Sequence, residues 1–119
     1  MLSFSGGLKI FLAVAPCDRR KSFNGLHALV TEQLGEDPRT GALFVFINRR
    51  HSRLKILLFD GTGLWVCTKR LEKGTFSWPK SVEPGKTKLR LTPQALALLT
   101  DGVDLRGAKL RPWYEREEP

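Results

Sequence analysis

Leu43-Phe44-Val45-Phe46-Ile47, Asn48-Arg49-Arg50-His51-Ser52, Arg53-Leu54-Lys55-Ile56-Leu57-Leu58-Phe59, Asp60-Gly61-Thr62-Gly63 and Leu64-Trp65-Val66-Cys67-Thr68-Lys69-Arg70 follow one another without a break. The first block is a dense run of β-branched and aromatic strand formers. The two short blocks carry the polar and glycine chemistry of tight connections, and the blocks they introduce read as returning strands. Residues 43–70 therefore predict a three-stranded antiparallel meander. In its middle strand, alternation sends Leu54, Ile56 and Leu58 to one face and Arg53, Lys55, Leu57 and Phe59 to the other. One face is expected to be core and the other basic with apolar interleaving.

Outward from the meander, Leu8–Val14 is a short apolar run ending before Pro16 and reads as a further strand. Asp18 precedes a segment in which Phe23, Leu26, Leu29, Val30 and Leu34 recur at helical spacing, with Gly35 after the last. This predicts an amphipathic helix capped by Asp18 and closed by glycine. Its opening turn would hold Arg19, Arg20 and Lys21, where the helix dipole disfavours cations, so their placement invites a functional reading. After the meander, short strands are expected at Thr75–Trp78 and Thr87–Leu91. Thr92 and Pro93 then open a second helix with Ala95, Leu96, Leu98 and Leu99 on its apolar side and Gly102 at its end. The order predicts an α+β fold: a single domain with a mainly antiparallel sheet of about five or six strands and two helices packed on one face. Residues 1–104 are expected to form the compact domain, and 105–119 a polar, flexible tail with Trp113-Tyr114 as a docking point.

A chain of 119 residues that is 41% apolar, with seven Phe and three Trp, has the material for one packed domain and is not a disordered tail. Lys9, Arg53 and Lys55 interrupt its apolar runs, so none approaches the ~20 residues of a membrane span. Met1–Lys9 lacks the basic region and cleavage site of a secretory signal, and a cytoplasmic protein is expected. Charge is the strongest compositional fact: 20 Lys and Arg against 12 Asp and Glu give +8. Three of those acids, Glu115, Glu117 and Glu118, lie in the last five residues. A surplus of that size on a small domain attracts polyanions, nucleic acid above all, or an acidic protein face.

The cations concentrate at the first connection. Arg49, Arg50, Arg53 and Lys55 stand at a turn and the start of a strand, and the meander would bring Lys69 and Arg70 beside them, with Arg20 and Lys21 as a second group. Arginine forks bind phosphate oxygens bidentately, and clustered cations displace condensed counterions, so these eight residues are the candidate nucleic-acid contacts. Basic side chains also guard sheet edges against aggregation, which is the competing reading. Trp65 and Trp78 are candidates for base stacking if exposed and for core packing if not. Signals for catalysis are weak. Only His27 and His51 are available, and no GxSxG, P-loop or HExxH pattern occurs. Cys17 and Cys67 suggest neither zinc nor a disulfide framework. Asp18, Asp60, Asp101 and Asp104 are the carboxylates that a metal-dependent phosphotransfer reading would have to use, yet capping better explains Asp18 and an Asp-Gly turn Asp60. No catalytic residue, metal, cofactor or small-molecule ligand is expected.

Several segments resemble the TnpB-type accessory protein of bacterial insertion sequences of the sixty-six family, as distinct from the RNA-guided nucleases that share that name. They are Asp18–Leu26, Gly41–Phe46, Arg49-Arg50, Arg53–Leu57, Asp60–Gly63, Lys69–Gly74 and Phe76–Pro79. The likeness covers about residues 8–105, and Gly41–Pro79 is its most specific part. It departs from the family at His51-Ser52, where glycine or an acid is usual, and at Leu58-Phe59, where aromatic pairs are common. The resemblance implies a non-enzymatic role in transposition beside a separate, larger transposase, and its basic motifs fall on the eight cations already chosen. It supplies no active site. Two function classes follow: an accessory factor that binds transposon-end or target DNA and assists the transposase, or a module that docks on the transposase or a second accessory protein without touching DNA. A metal-dependent nuclease is the third and weakest.

Overall fold

Strand formers, turn glycines and two apolar helical segments assemble into one sheet and two helices. The computed structural model describes residues 7–80 and 83–102. Its strands are β1 (Ile10–Ala13), β2 (Leu43–Ile47), β3 (Arg53–Phe59), β4 (Leu64–Arg70) and β5 (Lys88–Arg90), and its helices are α1 (Phe23–Glu32) and α2 (Pro93–Thr100). The strands form one sheet in the order β4-β3-β2-β1-β5. The meander is present, with Phe46 opposite Lys55 and Leu57 opposite Val66. β1 enters between β2 and β5, parallel to the first and antiparallel to the second. The fold is thus α+β with a mainly antiparallel sheet, as expected.

The helices do not share a face. Ile10, Leu12, Val45, Ile47, Leu54 and Ile56 pack with Leu96 and Leu99 of α2, whereas Phe11, Ala13, Phe44, Phe46 and Leu57 pack with Leu26 and Val30 of α1. The expectation of both helices on one side is corrected by the β1–α1–β2 connection. A strand leading into a parallel neighbour needs a crossover over a sheet face, and α1 takes the face opposite α2. Both faces of β2 are consequently buried along its whole length, and that is why Leu43–Ile47 is continuously apolar rather than alternating. The basic open face expected for β3 does not exist, because Leu57 is fully buried beneath α1.

Local signals resolve in two ways. Thr92 caps α2 through its side chain, which accepts from the Ala95 amide at 3.0 Å. Gly35, with φ +66, reverses the chain after α1 as its position implied. Asp18 does not cap α1. The helix begins at Phe23 after Ser22, and Asp18 instead closes its own turn, accepting from the Arg20 amide at 2.8 Å. Arg19, Arg20 and Lys21 therefore precede the helix rather than burden its first turn. Phe23 is 47% exposed. Thr75–Trp78 forms no strand: the Phe76 amide donates to the His51 carbonyl at 2.8 Å, and Phe76 and Trp78 plug the α2-side core. The expected tail, with Trp113-Tyr114, lies outside the described residues.

Candidate nucleic-acid interface

β1 and β2 are parallel, and the chain leaving each meets the other at their carboxyl ends. Cys17 and Asn48 form a bridge there, with the Cys17 amide donating to the Ile47 carbonyl at 2.8 Å. Crevices outside the carboxyl ends of parallel strands are common ligand positions in open sheets. This one is a cleft of about 590 Å³ lined by Pro16, Cys17, Asp18, Arg19, Asn48, Arg49, Arg50, Ser52, Arg53 and Arg70. Five of those side chains are guanidinium groups. The one acid among the described residues that line it, Asp18, is already engaged: Arg20 donates to its two oxygens at 3.1 Å and 2.8 Å. That ion pair holds the Asp18 carboxyl well below the usual carboxylate range. With Asp18 paired to Arg20, the five guanidinium groups leave the cleft cationic, and planar forks lining one concavity suit phosphate oxygens.

The floor is built by Asn48, a buried polar residue. Its Oδ1 accepts from the amides of Ser52 and Arg53 at 2.9 Å each, and its Nδ2 donates to Ser52 Oγ at 2.9 Å. The Asn48 backbone closes the same loop, donating to the Arg53 carbonyl and accepting from the His51 amide. His51 sits at φ +56, a left-handed conformation that histidine adopts more readily than most residues. The turn is thereby held as one shape, with Arg49 and Arg50 exposed on it.

The eight cations chosen from the sequence do not form one patch. Arg53 and Arg70 are register partners on the α1 side, and with Arg49 and Arg50 they line the cleft. Lys69 pairs with Leu54 and so faces the α2 side, where its Nζ donates to the Thr100 carbonyl at the end of α2 at 2.7 Å. Lys55 is engaged as well, its Nζ donating to the carbonyls of Arg19 and Lys21 at 2.6 Å each. Lys55 thus ties the Asp18–Lys21 turn to β3 and positions Arg19. Arg20 is paired with Asp18, and Lys21 contributes its carbonyl to the Lys55 clamp. Trp78 is 8% exposed and donates to the Ala13 carbonyl at 3.0 Å. It belongs to the core, which corrects its candidacy for stacking. Trp65 is 58% exposed, with its indole N–H on Asp60 Oδ2 at 2.7 Å.

Arg19 and Asn48 are cleft residues that the charge argument did not select. The signal for Asn48 was its place at the end of a strand before a turn, where asparagine bonds neighbouring backbone amides. Cys17 is half-buried, and that burial pushes its thiol up against the opposing pull of Lys55 and Lys21. Among the described residues no group of three His, Cys, Asp or Glu side chains is placed to hold a metal ion. No helix among them is long and apolar enough to cross a membrane.

The family profile of IS66 Orf2-like proteins matches residues 8–110. The chain belongs to that family. Its members are accessory proteins of IS66 elements, which places this IS66 Orf2-like chain in an accessory role in transposition. It is 40% identical over 112 residues to the uncharacterized protein y4jC of Sinorhizobium fredii, covering 94% of this chain and 93% of that one. The uncharacterized protein y4hO of the same organism is 38% identical over 106 residues, covering 89% and 90% respectively. No solved structure matches.

Proposed function

We propose that this IS66 Orf2-like chain is a non-enzymatic DNA-binding factor that holds phosphates of transposon-end or target DNA in the arginine cleft and so assists a separate transposase. The observation that carries the reading is the convergence of Arg19, Arg49, Arg50, Arg53 and Arg70 on one concavity whose only acid among the described residues is paired with Arg20. Backbone phosphates position a protein on DNA without reading its sequence. The cleft is accordingly assigned a gripping role.

Anisotropy of a labelled duplex across a salt series tests this. Four phosphates held by Arg49, Arg50, Arg53 and Arg70 give a slope of log affinity against log salt of about −3.6, and the Arg49→Ala/Arg50→Ala/Arg53→Ala variant loses about 2.7 of it. Unchanged duplex affinity in that variant refutes the site. Absence of duplex binding by the wild-type chain at low salt, with nuclease-resistant capture of the transposase, replaces the reading by the protein-docking module.

A further inference from the structure

The two edges of the sheet are built differently. β5 is three residues long, and its Lys88 is tied to the Leu34 carbonyl and to Glu36. A short, charged edge of this kind resists pairing with another strand. β4 is seven residues long and in unbroken register with β3 from Arg53↔Arg70 to Phe59↔Leu64, without bulge or proline. From Cys67 to Arg70 every residue is exposed.

Hydrogen-bond phase shows which backbone groups face outward. The Asp60 amide donates to the Gly63 carbonyl at 3.0 Å, and at the other end of β3 the Asn48 amide donates to the Arg53 carbonyl. Counting from either bond, Leu58/Trp65, Ile56/Cys67 and Leu54/Lys69 are the hydrogen-bonded pairs of the β3–β4 ladder. The N–H and C=O groups of Leu64, Val66, Thr68 and Arg70 then point away from β3, to an edge that no strand among the described residues pairs.

We infer that this edge takes β4 of a second copy of the chain, antiparallel, with a two-fold axis at Cys67. The chain's own charge distribution selects that occupant and register. Leu64 to Cys67 are uncharged and Lys69-Arg70 are cationic, so the two-fold sets Lys69 of the second copy opposite Trp65 and Arg70 opposite Leu64. The Lys69 ammonium stays on the Thr100 carbonyl of its own chain, and the Lys69 stem lies beside an exposed indole whose N–H is held by the Asp60 carboxylate, an apolar cross-strand contact that keeps the cations of the two copies apart. A parallel arrangement in register would instead set like charges side by side. The phase agrees: Val66 and Thr68 of opposite copies exchange backbone bonds, and Cys67 meets Cys67 in a non-hydrogen-bonded pair, where Cβ atoms lie about 4.5–5.5 Å apart. An axis normal to the sheet keeps both arginine clefts on one side, with the two Arg70 Cα atoms about 20 Å apart along the strands. The pairing itself does not depend on the DNA-binding reading.

An edge contact of this size is weak and reversible. Sedimentation velocity on the full chain is expected to show the 13.4 kDa monomer passing to a dimer as concentration rises toward about 1 mM, a Kd of about 1 mM corresponding to a weak association of about −4 kcal/mol. Mild oxidation reads the register. In a Cys17→Ser background, Cys67 forms a disulfide dimer. With both native cysteines replaced, Trp65→Cys and Lys69→Cys cross-link at least tenfold faster when mixed than either does alone. Thr68→Pro removes an outward N–H that β3 does not use, so it abolishes cross-linking while leaving the monomer's melting temperature unchanged. A chain that stays monomeric to 1 mM, or equal cross-linking at 65, 67 and 69, overturns the proposal.

Discussion

Replacing Lys55 by methionine keeps most of the stem and deletes the ammonium that holds the Arg19 and Lys21 carbonyls at 2.6 Å each. A hydrogen bond from a charged donor contributes about 1.5–3 kcal/mol when buried. Lys55 is half-buried and water can replace part of each bond, so the pair is expected to contribute about 1–2 kcal/mol in total. For a domain of this length that corresponds to a fall of about 4–10 °C in melting temperature. Circular dichroism melts at neutral pH and 0.15 M salt measure it directly. The same variant should keep nearly the full salt slope of duplex binding, because the Lys55 charge is spent on carbonyls rather than phosphates. A variant that melts within a degree of wild type while its salt slope drops by about 0.9 would show a phosphate contact instead, and the clamp would be wrong.

Asn48→Ala strands two amides in the floor of the cleft and should cost about 2–3 kcal/mol, seen as a lower urea midpoint at unchanged m-value. His51→Val forces a β-branched residue into a left-handed conformation and should lower stability by about 1–2 kcal/mol, whereas His51→Gly stays within about 0.5 kcal/mol of wild type; matched melts of the two variants decide. Trp65 N–H, then the Thr62 and Gly63 groups, hold the Asp60 carboxyl well below its ordinary value. A carboxyl depressed in the folded state contributes stability above its unfolded pKa of about 3.9 and loses it as pH falls further. Melting temperature should therefore be flat above about pH 5 and fall below about pH 4, with a smaller fall in Asp60→Asn. An equal fall in that variant would place the acid sensitivity elsewhere.

The meander, the Thr92-Pro93 helix start and the Asp60–Gly63 turn were legible because each rests on local chemistry: runs of strand formers between tight turns, a capping hydroxyl, an Asx turn. The parallel pairing of β1 with β2 was not. Whether a strand joins its neighbour in parallel depends on where the intervening helix packs, and nothing in residues 8–35 states which face α1 will cover. The site was half legible for the same reason. Arg53 and Arg70 share a side because alternation and register put them there, and Arg49 and Arg50 join them from the adjoining turn. Lys69 is one residue from Arg70 and therefore on the opposite face, and Lys55 finds carbonyls that exist only once the Asp18–Lys21 turn has docked. Trp78 carried no sequence mark to separate a core indole from a stacking one; the Ala13 carbonyl that receives its N–H is 65 residues away.

The insertion of β1 between β2 and β5 also sets the order in which the chain can fold. β2, β3 and β4 are joined by short turns and can pair as soon as they are synthesised, but β1 waits about 30 residues for one neighbour and more than 70 for the other. Contacts of such sequence separation slow folding, since loop-closure entropy is spent before they form. The Cys17–Asn48 bridge cannot form until β1 has docked beside β2. A folding intermediate in which only the meander has paired would display Arg49, Arg50, Arg53 and Arg70 without the wall that Arg19 belongs to. The concave cationic site is thus a property of the finished domain, acquired late in folding rather than inherited from its basic hairpin.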